Sequence, residues 1–371
     1  MRFLRGCLLG LLVLSSLNAA ERWTPEQANA WYAKQPWLVG SNYLPAYASN
    51  ELEMWQAETF DPKRIDLELG WAQSLGMTTM RVFLDDLLWT QDSQGFKKRI
   101  NTFLEISNKH HIKPLFVLFD SCWDPDPKLG PQPAPRPGIH NSRWVQSPGA
   151  KALQDPSQYP RLAAYVKGVV GAFANDQRIL GWDIWNEPDN GNNSSYGPKD
   201  PKNKTDLVLK LLPQAFGWAR AANPSQPLTS GVWHDLPAAT KAQIPPMAKV
   251  QLELSDVVSF HSYEPPAKFE EEVVWLKQYQ RPIMCTEYMA RPRGSTFQAI
   301  LPIAKKDRVA AINWGFVAGK SQTYLPWDSW QHPYTDRQPA VWFHDIFRTN
   351  GTPYKPEEAK FIRQIDNATK Q

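Results

Sequence analysis

The sequence predicts an α/β protein built as a single (β/α)8 barrel. Three observations lead there: short apolar runs alternate with longer amphipathic stretches, the runs number eight, and no linker or shift in composition divides the 371 residues. The runs cover residues 37–43, 77–84, 113–120, 179–185, 226–232, 256–261, 281–287 and 309–315. Apolar on both faces, they suit parallel strands covered by helices. Between them, patterns over 64–75, 97–110, 159–174, 205–222, 266–279 and 297–306 read as helices, and 23–35 as a helix ahead of the first strand. Eight strand–helix units favour a closed barrel over an open doubly wound sheet.

The connections after three strands are long. Residues 121–157 carry eight prolines, too many for a helix interior; 189–204 is rich in Asn, Gly and Pro; 316–337 holds Tyr324, Trp327, Trp330 and Tyr334. All three leave strand C-termini, the face on which such barrels build their sites. Loops of this length and aromatic content read as lids or subsite walls. They predict a pocket, or a groove blocked at one end, that prefers short ligands or chain ends to intact polymer.

The first twenty residues read as a secretory signal peptide, with Arg2 and Arg5 as a basic start, an apolar run from Cys7 to Leu14 and a small, polar end at Ala20. Residues 21–371 are then the mature barrel domain, exported to a periplasm or the medium. The formal charge of +4 loses Arg2 and Arg5 with the leader, leaving +2. That balance argues against a nucleic-acid partner held by a basic face. No later stretch approaches the ~20 apolar residues of a membrane helix. Seventeen tryptophans exceed what a core needs, since Trp is rarely fully buried. Flat exposed rings suit sugar faces. Neither GxGxxG, GxxxxGK[ST], CxxC nor HExxH occurs and the seven His are scattered, so no cofactor and no metal is implied. Oligomeric state stays open.

Two carboxylates end apolar strands: Glu187, after Trp185 and Asn186, and Glu287, after Cys285 and Thr286. A carboxylate at a barrel mouth is costly unless paired or used. Singly, either suits a structural ion pair. Together, at the ends of strands four and seven, they match the two-carboxylate machinery of glycoside hydrolysis.

With these motifs in strand order, the chain resembles the clan A glycoside hydrolases, and glycoside hydrolase family 5 (cellulase-, mannanase- and xylanase-like) in particular. The resemblance rests on Arg81 in the second strand, Asn186-Glu187-Pro188, His261-Ser262-Tyr263, Thr286-Glu287-Tyr288, and Trp314 after the eighth strand. It implies a retaining β-glycoside hydrolase of oligo- or polysaccharides, with Glu187 as general acid/base and Glu287 as nucleophile. It further implies that Asn186 binds the sugar 2-hydroxyl, that Arg81 and Tyr263 hold Glu287 ionised, that His261 tunes Glu187, and that Trp314 floors the reacting subsite. Trp327 would wall a subsite. Family members usually carry a histidine near the end of the third strand; this chain has Asp120, Ser121, Cys122, Trp123 and Asp124 there, so Asp120 or Trp123 is expected to serve that corner. Transglycosylation on the same scaffold and a catalytically inactive carbohydrate-binding barrel are the alternative readings. Sugar, linkage and internal or terminal cleavage are left open.

Cys122 follows strand three and Cys285 lies in strand seven, across an eight-stranded barrel and beyond the ~7 Å Cα reach of a bridge. Both are expected to be free thiols, with Cys285 sharing the inward parity of Glu287.

Overall fold

In the computed structural model, which describes residues 21–234 and 244–367, eight parallel strands close into a barrel with helices outside. The strands are β1 (Val39–Asn42), β2 (Thr79–Phe83), β3 (Lys113–Asp120), β4 (Gly181–Asn186), β5 (Leu228–Thr229), β6 (Val258–His261), β7 (Ile283–Glu287) and β8 (Ala310–Asn313). Each begins inside one of the eight apolar runs. Ladders join β5 through β1 to β8 and on to β6. The remaining seam is a bridge between Val232 and Phe260, where the Val232 N–H donates to Ser259 at 3.0 Å and the His261 N–H to Val232 at 2.8 Å.

The helices are α1 (Pro25–Ala33), α2 (Glu51–Trp55), α3 (Pro62–Leu75), α4 (Asp86–Lys109), α5 (Ala150–Gln154), α6 (Tyr159–Ala172), α7 (Lys204–Ala221), α8 (Pro246–Leu254), α9 (Pro266–Leu276), α10 (Phe297–Lys306) and α11 (Pro356–Asn367). Helix α4 starts well before residue 97 because Asp85 caps it, accepting from the Leu87 N–H at 2.7 Å, and it kinks at Asp92. Among the described residues no helix is long and apolar enough to cross a membrane. The leader expected at residues 1–20 lies outside the described residues.

The barrel interior is layered. Leu38, Leu115, Leu180, Val257, Met284 and Ile312 fill its N-terminal half, sealed from below by Ala28 and Tyr32 of α1. Polar side chains are therefore gathered at the C-terminal mouth, where the long loops stand.

Cys122 and Cys285 are free thiols. The orientation expected for Cys285 is corrected: it packs in the strand–helix layer, while its neighbour Met284 faces the interior. The parity reading fails because β6 and β7 slip register, Phe260 opposing Cys285 and His261 opposing Glu287, so that Thr286 is an extra residue. A one-residue bulge reverses faces beyond it and re-aims the strand end.

Candidate active site

At the centre of the mouth lies Arg81, on β2 and fully buried. Its guanidinium donates to Asp183 at 2.9 Å, Asn42 at 2.9 Å, Asn186 at 2.7 Å and Glu287 Oε1 at 2.8 Å. A buried cation survives only when so paired and bonded. The second oxygen of Glu287 accepts from the Tyr263 hydroxyl at 2.6 Å. Glu287 therefore faces a cation and a phenol. Burial pushes the Tyr263 hydroxyl well above its ordinary value, so it remains a donor.

Glu187 sits differently. It ends β4 with φ at 40°, a left-handed conformation that costs a glutamate about 1–3 kcal/mol and recurs at functional sites. The turn returns Asn190 to it, the amide donating to Oε2 at 2.6 Å. The Cys122 thiol donates to the same oxygen at 3.2 Å, and His261 Nδ1 lies 2.9 Å from Oε1. Burial pushes the thiol up and the imidazole down to about 4, so both are neutral near pH 7. Among the described residues no lysine or arginine forms an ion pair with Glu187, although the charge of Arg81 reaches it.

Burial raises both carboxyls above the ordinary range. Arg81 and Tyr263 pull Glu287 back, so within the pair Glu287 ionises first and Glu187 keeps a proton to give. An oxygen of Glu187, an oxygen of Glu287 and a His261 nitrogen all lie within 4.8 Å of one another. Among the described residues this trio has the spacing of a metal-ligand set. It fits poorly: Arg81 already contacts Glu287, and a second cation there would be repelled.

The cleft above this pair has a volume of about 650 Å³. Glu187, Glu287, Asn186, His261, Tyr263, Trp314, Trp123 and Trp327 all line it. Arg81 lies beneath it. The expectation that Asp120 contacts substrate is corrected: it is buried under the cleft, with Oδ1 taken by Asn186 at 2.9 Å and the Cys122 N–H at 2.9 Å, and Oδ2 by the Trp144 indole at 2.6 Å. Both oxygens are engaged within the protein and the side chain does not line the cleft, so it orients neighbours instead. Cys122 occupies the corner nearest Glu187. Asn190, Cys122 and Asn42 were not singled out from sequence as site residues; the missing histidine after β3 was the signal that could have found Cys122.

One wall is a clasp between the loops after β3 and β8. Trp123 stacks on Trp330 with centroids 5.4 Å apart and planes at 16°. The Trp330 indole donates to the His140 carbonyl at 2.8 Å, His140 Nδ1 to Leu325 at 2.8 Å, and the Tyr334 N–H to Gly138 at 2.9 Å. Gln331 reaches the loop after β4 through Ser194 at 2.8 Å. The three long loops therefore meet.

A family model described as cellulase (glycosyl hydrolase family 5) matches residues 138–333, more than half of the chain. Among solved structures, an exo-β-1,4-mannosidase from Opitutaceae bacterium strain TAV5 has a TM-score of 0.58 at 19% identity, over 89% of this chain and 59% of that one. A GH5_18 protein from Streptomyces cattleya in complex with Manβ1-4GlcNAc scores 0.57 at 13% identity, over 91% and 80%. The endo-1,4-β-D-mannanase of Thermotoga petrophila RKU-1 scores 0.56 at 13%, over 89% and 99%. At such identities the likeness is one of fold. No curated protein matches the chain.

Proposed function

The chain belongs to glycoside hydrolase family 5, and from that premise we propose that it is a retaining β-glycosidase working by double displacement on Glu287 and Glu187. The observation that carries this is their closeness: an oxygen of each carboxylate lies within 4.8 Å of the other, nearer the ~5 Å spacing of retaining enzymes than the ~6.5–9.5 Å of inverting ones.

Protonated Glu187 gives its proton to the departing glycosidic oxygen while ionised Glu287 attacks the anomeric carbon. The C–O bond to the leaving sugar breaks and an ester to Glu287 forms. Glu187, now a carboxylate, takes a proton from water as that water attacks the same carbon, releasing Glu287. Asn186, held by Arg81 and Asp120, is aimed to bind the sugar 2-hydroxyl, and Trp314 stacks beneath the ring. The leader reading makes residues 21–371 an exported domain, periplasmic or extracellular.

Mannosidase and mannanase names among the structural neighbours make β-mannosides the first substrates to try, followed by β-glucosides and β-xylosides. Proton NMR of the first-formed product tests the mechanism. A product of retained β configuration supports it. An inverted product overturns it, and binding without any turnover favours the inactive carbohydrate-binding barrel.

A further inference from the structure

We infer that Asn141 reads the free end of the terminal sugar, making this a chain-end enzyme that removes one residue at a time from the non-reducing end of a β-linked chain. The inference rests on the hydrolytic reading above. Glu187 protonates the leaving oxygen, so the leaving sugar lies on the β4–β5 side, where Asn190, Trp233 and His234 line the cleft. The sugar attacked by Glu287 lies over Trp314.

Beyond Trp314 the space is filled. Trp144 stands edge-on to Trp314 at 5.6 Å and to Phe83 at 5.0 Å, its indole pinned on Asp120. The void left among these rings measures about 20 Å³, room for one water and not for a second sugar. Ser321 of the β8 loop lines that void and ties the β3 loop to it through the Asn141 N–H.

Asn141 stands in that end wall. Its N–H donates to Ser321 of the β8 loop at 2.8 Å and its carbonyl accepts from the Trp144 N–H at 3.2 Å. The side chain lines the cleft and is 1% exposed, yet neither its Oδ1 nor its Nδ2 has a hydrogen-bond partner among the described residues. Burying an unpaired amide is costly. The φ of 47° is one that asparagine adopts more readily than most residues, but that preference does not account for an amide left unpaired on both its oxygen and its nitrogen. A carboxamide offers both donor and acceptor, the complement of a hydroxyl. On the terminal sugar that hydroxyl is free. In a longer glycone it carries the next glycosidic bond, for which the wall leaves no space.

Two measurements test this. With β-1,4-mannopentaose and cellopentaose labelled at the reducing end, the first products should be a monosaccharide and labelled tetramer. Labelled dimer or trimer appearing first overturns the inference and leaves the hydrolytic reading standing. Second, Asn141→Gly keeps the turn and removes the amide. Its kcat/KM on p-nitrophenyl β-D-mannoside or β-D-glucoside should fall about 10- to 100-fold. The 4-deoxy analogue of the same glycoside should cost the wild type a similar factor and the variant no more than about twofold further, because both changes delete one contact. Independent, multiplying losses overturn the role of Asn141. Absence of turnover on every β-linked sugar overturns the hydrolytic reading and this inference with it.

Discussion

The ends of β4 and β7 each deliver a glutamate to one cleft, Glu187 half-buried and Glu287 buried, but they surround it with different chemistry. Glu287 on β7 meets a guanidinium and a phenol, Arg81 at 2.8 Å and Tyr263 at 2.6 Å. Glu187 on β4 meets an amide, a thiol and a neutral imidazole, from Asn190, Cys122 and His261. Burial raises both carboxyls, and Glu287 is the deeper, its side chain 5% exposed against 13% for Glu187. Depth alone would make Glu287 the harder to ionise, so what reverses the order is counter-charge, which stabilises only the ionised form. A fold that buries two like groups side by side can still assign them opposite roles by placing one cation.

The largest expected effect removes the charged partner of the pair. Glu287→Ala should lower kcat about 10⁵-fold or more on every substrate, since no covalent ester can form. Added azide should then yield, if anything, a glycosyl azide of inverted configuration. Glu187→Ala should cost about 10²–10⁴-fold on sugars with poor leaving groups. On an activated aryl glycoside it should still form the intermediate, stall, and be rescued by azide with retained configuration. Identical azide products from the two variants, identified by NMR, would erase the distinction between the strand ends.

Smaller changes should move opposite limbs of the pH–rate profile, which is bell-shaped if Glu287 must be ionised and Glu187 protonated. Tyr263→Phe deletes a donor that favours ionised Glu287. Its carboxyl rises, the lower limb moves to higher pH, and the bell narrows from the acid side. Asn190→Ala deletes a donor that favours ionised Glu187, so that carboxyl rises too. Here the upper limb moves to higher pH and the bell widens. Each should cost about tenfold in kcat/KM at the optimum. If Asn190→Ala shifts the lower limb, the assignment of limbs to glutamates is reversed.

Cys122→Ala should give the smallest effect, a rise of the upper limb in the same direction as Asn190→Ala but weaker, with a few-fold loss of rate. The thiol is a weak donor at 3.2 Å, against 2.6 Å for the amide. Cys122→Ser, which keeps a hydroxyl donor, should restore the limb. A profile identical in wild type and Cys122→Ala would assign Glu187 to Asn190 and His261 alone.

The barrel was legible because parallel strands buried on both faces appear as unbroken apolar runs; β3 matches its run at both ends, Lys113–Asp120. Helices α2 and α5 escaped because each is five residues set within a loop, too short to show a period. Helix α11 lies after the eighth unit, where the alternation no longer asks for a helix. In the site, residues carried by strand ends were legible, and those returned by backbone geometry were not. Asn190 is one asparagine among several after β4, and only the turn at Glu187 brings its amide to the carboxylate. Asn141 lies in a proline-rich loop whose path follows from contacts with Ser321 and Trp144, far off in sequence or invisible to periodicity. Asp120 was placed at the right strand end, but the indole of Trp144 and the amide of Asn186 claim its oxygens.

The most direct test of the division between the two glutamates is to trap the ester. Incubation of the whole enzyme with an activated 2-deoxy-2-fluoro β-glycoside, of whichever sugar it turns over, slows both steps while the good leaving group lets the first proceed. The expected result is a single added glycosyl mass, located by peptide mass spectrometry on Glu287, forming in Glu187→Ala as well and absent in Glu287→Ala. A label on Glu187, or none under conditions where the parent glycoside is hydrolysed, contradicts it.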